Sequence, residues 1–182
     1  MAGTDGIRAF LIVILISGGS VRLAAATPGE VQNVNWCSGA KDCLRWDAAS
    51  PPGSYTILRG TLATFPALLN AGVDSCTRAT FTSTTTGPLL TETPGSGGLF
   101  WYLVRGRTCT TTGTAGAATA GLRVINVSGD CTTATCANGL RDGAETDVDC
   151  GGGTCAACGL ARNCCAAGDC ASLHCALASE IG

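Results

Sequence analysis

Thirteen cysteines, one histidine and a run of four closely spaced carboxylates are the residues of this chain with chemistry to offer. Seven of the cysteines crowd into "ETDVDCGGGTCAACGLARNCCAAGDCASLHC", residues 145–175. Thiols at that density hold a metal, exchange electrons or cross-link the chain. Zinc wants four ligands at recognisable spacing. Here Cys155-x-x-Cys158 stands as the single pair of that spacing, and His174 is the sole histidine. A thioredoxin-like centre would open a helix within a βαβ pattern, whereas this C-x-x-C lies between Gly151-Gly152-Gly153 and Gly159. Cross-linking fits best.

The carboxylates are Asp142, Glu145, Asp147 and Asp149, with Asn138 just upstream. Hard oxygens at this density suit calcium, which takes six to eight of them from a flexible loop. The EF-hand pattern is absent, because no glycine follows at the required place. The competing reading gives the same residues to turns between cross-links, which Asp and Asn stabilise. Paired carboxylates also hydrolyse glycosides, but this segment is too small to build a substrate cleft. No G-x-S-x-G, H-E-x-x-H or P-loop pattern occurs, and His174 sits in a serine-containing loop between cysteines. The expectation is a protein that is not an enzyme, with no cofactor beyond the candidate calcium.

Elements that would position these residues begin after an export signal. The opening "MAGTDGIRAFLIVILISGGSVRLAAA" carries Arg8, an apolar run from Ala9 to Ile16, and Ala24-Ala25-Ala26 as an A-x-A cleavage pattern. Charge, apolar run and small residues in that order predict a signal peptide over 1–26, and the run is too short to span a bilayer. No transmembrane segment is expected after its removal. An oxidising compartment turns cysteines into disulfides, so the expected location is secreted or cell-surface.

Composition then divides the remainder. Residues 27–129 hold seven basic and five acidic residues, four cysteines and all three tryptophans; residues 130–182 hold two basic and seven acidic residues, nine cysteines and no aromatic residue. The first part has the apolar surface for a core. The second needs covalent staples, each worth about 2–4 kcal/mol. The predicted division is a domain over 27–128 and a cysteine-rich module over 129–182. Arg59, Arg105, Arg107 and Arg123 are scattered instead of clustered, which argues against nucleic acid. Asn126-Val127-Ser128 matches a glycosylation acceptor.

Between Val31 and Val127 apolar residues come in short runs separated by turn signals, which predicts strands. Side chains on a strand repeat every two residues. Leu44 with Trp46, and Tyr55 with Ile57, therefore share faces. In "LFWYLVRGR", Leu99, Trp101 and Leu103 oppose Phe100, Tyr102 and Val104. "LATFPALLNAG" can form a helical turn or two, limited by Pro66. About seven short strands in a hundred residues predict an immunoglobulin-like sandwich.

"LRWD" (44–47), "SYTILRG" (54–60), Cys76 and "GSGGLFWYLVRGRTC" (95–109) resemble, in that order, a fibronectin type III-like module of bacterial exported proteins. The resemblance implies a mainly β sandwich with Trp46, Tyr55 and Tyr102 in the core. Cys37 and Cys43 depart from the general pattern and could clip the first two strands. Further on, "GAETDVDCGG" (143–152), Cys155 and Cys158, Cys164, Asp169-Cys170, Ser172 and Cys175 resemble a small cysteine-rich repeat of large exported proteins, which brings no settled activity. Cys165, making an adjacent pair, departs from that repeat, and an odd thirteenth cysteine leaves one thiol free or bonded between chains.

Disulfide candidates are Cys37, Cys43, Cys76, Cys109, Cys136, Cys150, Cys155, Cys158, Cys164, Cys170 and Cys175. Two pairings are expected: Cys76–Cys109, worth about 3.7 kcal/mol by loop entropy, and Cys37–Cys43, worth about 2.4 kcal/mol. The leading functional expectation is a non-enzymatic binding or spacer protein facing an extracellular protein or an envelope component. Two others stand beside it: a fragment of a larger exported enzyme or adhesin, suggested by the end at Gly182, and a small secreted inhibitor built on 131–175.

Overall fold

Leu44 and Trp46, with Tyr55 and Ile57, set the centre of this molecule. A computed structural model describes residues 26–51, 53–69, 72–118, 121–133 and 136–175. The expected signal peptide falls outside them except for Ala26, as does the segment after Cys175. Strands dominate: β1 (Asn35–Trp36), β2 (Leu44–Arg45), β3 (Ser54–Thr61), β4 (Ser75–Phe81), β5 (Phe100–Arg107), β6 (Ala117–Ala118), β7 (Gly121–Leu122) and β8 (Val127–Asp130). Helix among the described residues is confined to two 3-10 segments, Leu62–Leu69 and Ala167–Asp169. No helix of the described residues is long and apolar enough to cross a membrane. The chain is mainly β and rich in disulfides.

The main sheet has the order β5-β3-β4-β8. Its centre, β3, pairs antiparallel with β5 through Ile57↔Val104 and Tyr55↔Gly106, and antiparallel with β4 through Ile57↔Ala79 and Tyr55↔Phe81. These residues therefore share one face. Over that face lies a second layer made of β1, β2 and the segment near residues 84–90. The Trp46 amide donates to the Thr84 carbonyl at 3.1 Å, the Thr86 amide to Leu44 at 2.9 Å and the Asp47 amide to Gln32 at 3.0 Å. Between the layers Val31, Leu44, Trp46, Ala49, Tyr55, Ile57, Leu90 and Val104 form the core. Trp46 and Tyr55 meet edge to face, ring centroids 5.4 Å apart. Each large side chain buried here contributes roughly 1.5–3 kcal/mol.

The alternation read along "LFWYLVRGR" holds in the register of β5. Val104 sits in the core, while Trp101 points to the opposite face and packs against Gly60, its cross-strand partner. Trp101 Nε1 donates to the Thr61 carbonyl at 2.9 Å, and Phe65 of the 3-10 segment meets its ring edge-on at 6.5 Å. A side chain at Gly60 would run into that indole. Glycine is required there.

The expected division at residue 128 falls inside β8, which pairs parallel with β4 through Ser75↔Val127 and Thr77↔Asp130. Beyond it the Thr80 amide donates to the Arg141 carbonyl at 2.8 Å, so the acidic segment continues along the same sheet edge. The segment "GLRVINV" (121–127) is divided between β7, which pairs with β6, and β8.

Candidate functional site

Sulfur decides how the acidic segment is held. Cys37 is bonded to Cys43, Cys76 to Cys131, Cys109 to Cys165, Cys136 to Cys155, Cys150 to Cys158 and Cys164 to Cys175. The expected Cys76–Cys109 bond is corrected. Cys76 on β4 faces the end of β8, whose Cys131 lies with its Cα 4.9 Å away; Cys109, past the end of β5, reaches Cys165 with a Cα separation of 5.3 Å. Cys131 and Cys165 were absent from the candidates and are bonded. Cys170 was among them and is a buried free thiol. Parity alone signalled that one cysteine stays unpaired; nothing in the spacing said which. Cys155 and Cys158 bond to different partners, so their C-x-x-C is no vicinal redox pair.

The carboxylates cap turns. Asp149 Oδ1 accepts the Asn138 amide at 2.8 Å, and its two oxygens accept the Gly139 amide at 3.1 and 3.0 Å. Glu145 Oε2 accepts the amides of Asp142 and Asp149, both at 3.2 Å. Asp147 accepts the Val148 and Asn163 amides, each at 2.7 Å, and Arg162 lies 3.5 Å away. Asp142 Oδ2 accepts Asn138 Nδ2 at 2.7 Å. Among the described residues, two groups of three metal-ligating atoms lie within 4.8 Å of one another: Cys136, Glu145, Cys155 and Cys164, Cys170, Cys175. Of the four candidate carboxylates, only Glu145 belongs to one of these groups. In both groups two sulfurs are spent in a disulfide, and a disulfide sulfur is not the thiolate that metals take.

Burial and charge tune these groups in opposite directions. Burial raises Glu145, and the carboxylates of Asp142 and Asp149 add to that against the two amides it accepts. Burial also pushes Asp147 up, but the Asn163 and Val148 amides and the Arg162 charge outweigh it, leaving Asp147 below its ordinary value. Asp169, outside the four candidates, does more than any of them: it is buried and accepts the amides of Gly152 at 3.0 Å, Cys165 at 3.0 Å and Ala166 at 2.9 Å. Gly151, Gly152 and Gly153 all lie at positive φ (79°, 68° and 74°), the region that favours glycine. Side chains at the first two would collide with Thr146 and with the Ala144 carbonyl.

A second polar cluster closes the core of the β layers. The register slip between Ile57↔Ala79 and Leu58↔Thr77 makes Arg78 the extra residue of a β-bulge, a device that re-aims a side chain. Its guanidinium grips Glu92 through Nε–Oε1 at 2.7 Å and Nη2–Oε2 at 3.1 Å. Arg59 reaches the same carboxylate at 3.2 Å and lies 4.5 Å above the Phe100 ring. Tyr102 Oη donates to Glu92 Oε1 at 3.4 Å, and Trp36, half exposed, stands edge-on to Tyr102. Burial and then the Glu92 charge push Tyr102 up to about 12. For Glu92 itself burial acts upward, but the Arg78 bond and the two guanidinium charges prevail and hold it below its ordinary value. Nothing local in the sequence marks Glu92, since its partners lie 14 and 33 positions away.

A polar concavity of about 460 Å³ lies at the end of the second layer between Asn33, Asn35, Arg45, Asp47, Thr84 and Thr85. Asn33, at φ 53°, donates from Nδ2 to Asp47 Oδ2 at 2.7 Å. His174 is exposed in a turn closed by Ser172. Arg105 is part-buried and donates to the Gly113 carbonyl at 3.0 Å. Comparison with protein-family models, curated proteins and solved structures finds no match.

Proposed function

We propose that this chain is a secreted or cell-surface binding or spacer protein without enzymatic activity, a fibronectin type III-like β platform braced by a disulfide-stapled appendix. One observation carries the reading: Cys76–Cys131 and Cys109–Cys165 tie the acidic segment to both sides of the main sheet. The two-layered core beneath β1 and β2 supports the sandwich assignment. Six disulfides are the chemistry of an oxidising compartment. The carboxylates serve backbone amides, which is a scaffold's use of charge. Contact with an extracellular protein or envelope component falls to loops, and the concavity at Arg45 and Asp47 is the surface that suits a polar ligand.

The test uses the natural product and the intact chain. Intact mass before and after reduction is expected to differ by two hydrogens for each of six bonds, with a mature start at Thr27. Labelled protein is expected to bind envelopes of the producing cell saturably, and R45A/D47A to weaken that binding. A fully reduced product recovered from cytosol overturns the reading of compartment. Binding that is absent, or indifferent to both substitutions, overturns the assignment of the surface.

A further inference from the structure

The thirteenth cysteine is not remote from the other sulfurs. Cys164, Cys170 and Cys175 have their Sγ atoms within 4.8 Å of one another, yet only Cys164 and Cys175 are bonded. Cys170 stays a thiol, 5% exposed, held in place by the pairing of its neighbourhood with Cys158. A thiolate beside a disulfide is the reactant pair of thiol–disulfide exchange. Asp169 already gathers the segment on either side of that pair, its Oδ2 binding the Cys165 and Ala166 amides. Cys164 and Cys170 therefore sit at the two ends of a clamped turn. By contrast Ala171, Ser172, Leu173 and His174 are all exposed, and they carry Cys175.

We infer that Cys170 exchanges with the Cys164–Cys175 disulfide and makes Cys175 a covalent attachment point for a disulfide-bearing partner. Cys170 Sγ, as thiolate, attacks Cys164 Sγ; the Cys164–Cys170 bond forms and the Cys164–Cys175 bond breaks. The electron pair leaves on Cys175, which takes a proton in place of the one Cys170 released. Nothing is oxidised or reduced overall. The free thiol has moved from buried Cys170 to part-exposed Cys175, at the end of an exposed loop. Cys175 then attacks a disulfide of the partner, forming a mixed disulfide and releasing one partner thiol. This inference stands independently of the concavity at Arg45.

The experiment alkylates the native, full chain with a maleimide at neutral pH, then maps peptides without reduction after cleavage before Asp169 and after Leu173, which separates the three cysteines. Expected are one label per chain on Cys175 and a Cys164–Cys170 cross-link; with glutathione disulfide as probe, one glutathione on Cys175. In C170S the exchange has no nucleophile, so labelling of Cys175 is expected to fall at least tenfold. A label on Cys170 or Cys164, no label until denaturation, or Cys175 labelling that persists in C170S would each overturn the inference. Wild-type mapping decides the matter even where C170S fails to fold.

Discussion

Breaking Cys109–Cys165 is the sharpest perturbation this fold offers, because that bond closes 56 positions and joins the end of β5 to the acidic segment. A loop of that length restricts the unfolded chain by about 4.2 kcal/mol. Cys136–Cys155 shortens the path, leaving only the 27 positions from Cys109 to Cys136 and the 10 from Cys155 to Cys165. The same relation then gives about 3.9 kcal/mol, a ceiling from which native strain subtracts. For a chain of this size such a loss lowers the melting temperature by roughly 8–15 °C. Cys37–Cys43 closes six positions and is worth about 2.4 kcal/mol. Calorimetry and urea unfolding of C109S/C165S and C37S/C43S against wild type measure both. The cross-module variant should lose more, and wild type should unfold in a single transition, since β8 and the Thr80–Arg141 bond also cross the expected boundary. A loss below about 1 kcal/mol, the reverse order, or a separate transition for the acidic segment would refute the idea that the two parts share one cooperative structure.

Gly60→Ala should destabilise by about 2–4 kcal/mol, because the new methyl meets the Trp101 indole and sits 2.6 Å from the Asp74 carbonyl oxygen; a change under about 1 kcal/mol in urea unfolding would show that the indole yields freely. Asp169→Ala strips the acceptor from three amides and should cost about 2–4 kcal/mol. Hydrogen exchange is expected to speed selectively at Gly152, Cys165 and Ala166, and unchanged protection there would contradict the capping role. Glu92 lies below its ordinary 4.5 when folded, so its stabilisation is present above that value and disappears as pH falls through the folded one. E92Q should flatten this acid limb, and an unchanged stability–pH curve would exclude Glu92 as its source. Tyr102, at about 12 against an ordinary 10, favours folding below pH 10 and loses that contribution as pH rises towards 12. Phenolate absorbance should move to lower pH in E92Q, because the Glu92 charge is one of the causes that raise Tyr102.

Local periodicity made the β class and part of the core legible. Leu44, Trp46, Tyr55 and Ile57 were placed on shared faces by alternation, and all four are buried. Strand geometry is repeated every two residues, so a chain of six or seven positions suffices to write it. The 3-10 turn at Leu62–Leu69 was legible too, because its bonds join residues three apart along the chain. The turn chemistry of the acidic segment was half legible: Asp and Asn between glycines spell caps, but the same letters spell calcium, and only the directions of their oxygens separate the two.

What the chain alone determined is its dependence on strands and on sulfur: a first part able to bury tryptophan and isoleucine, and a second part with no aromatic residue and nine cysteines. Which sulfur meets which was decided by tertiary structure, because a disulfide needs two Cα atoms within about 7 Å and sequence separation carries no such distance. Cys76 bonds across 55 positions to Cys131, just past β8, and not to Cys109 at 33, since the parallel β4–β8 pairing sets Cys131 beside it. The register slip between β3 and β4 put Arg78 on Glu92 beside Arg59, and the pairing of Cys158 with Cys170 left Cys170 beside a bond it does not share. Periodicity is a property of neighbours along the chain. Cross-links, ion clusters and the odd thiol are properties of the sheet that folding assembles.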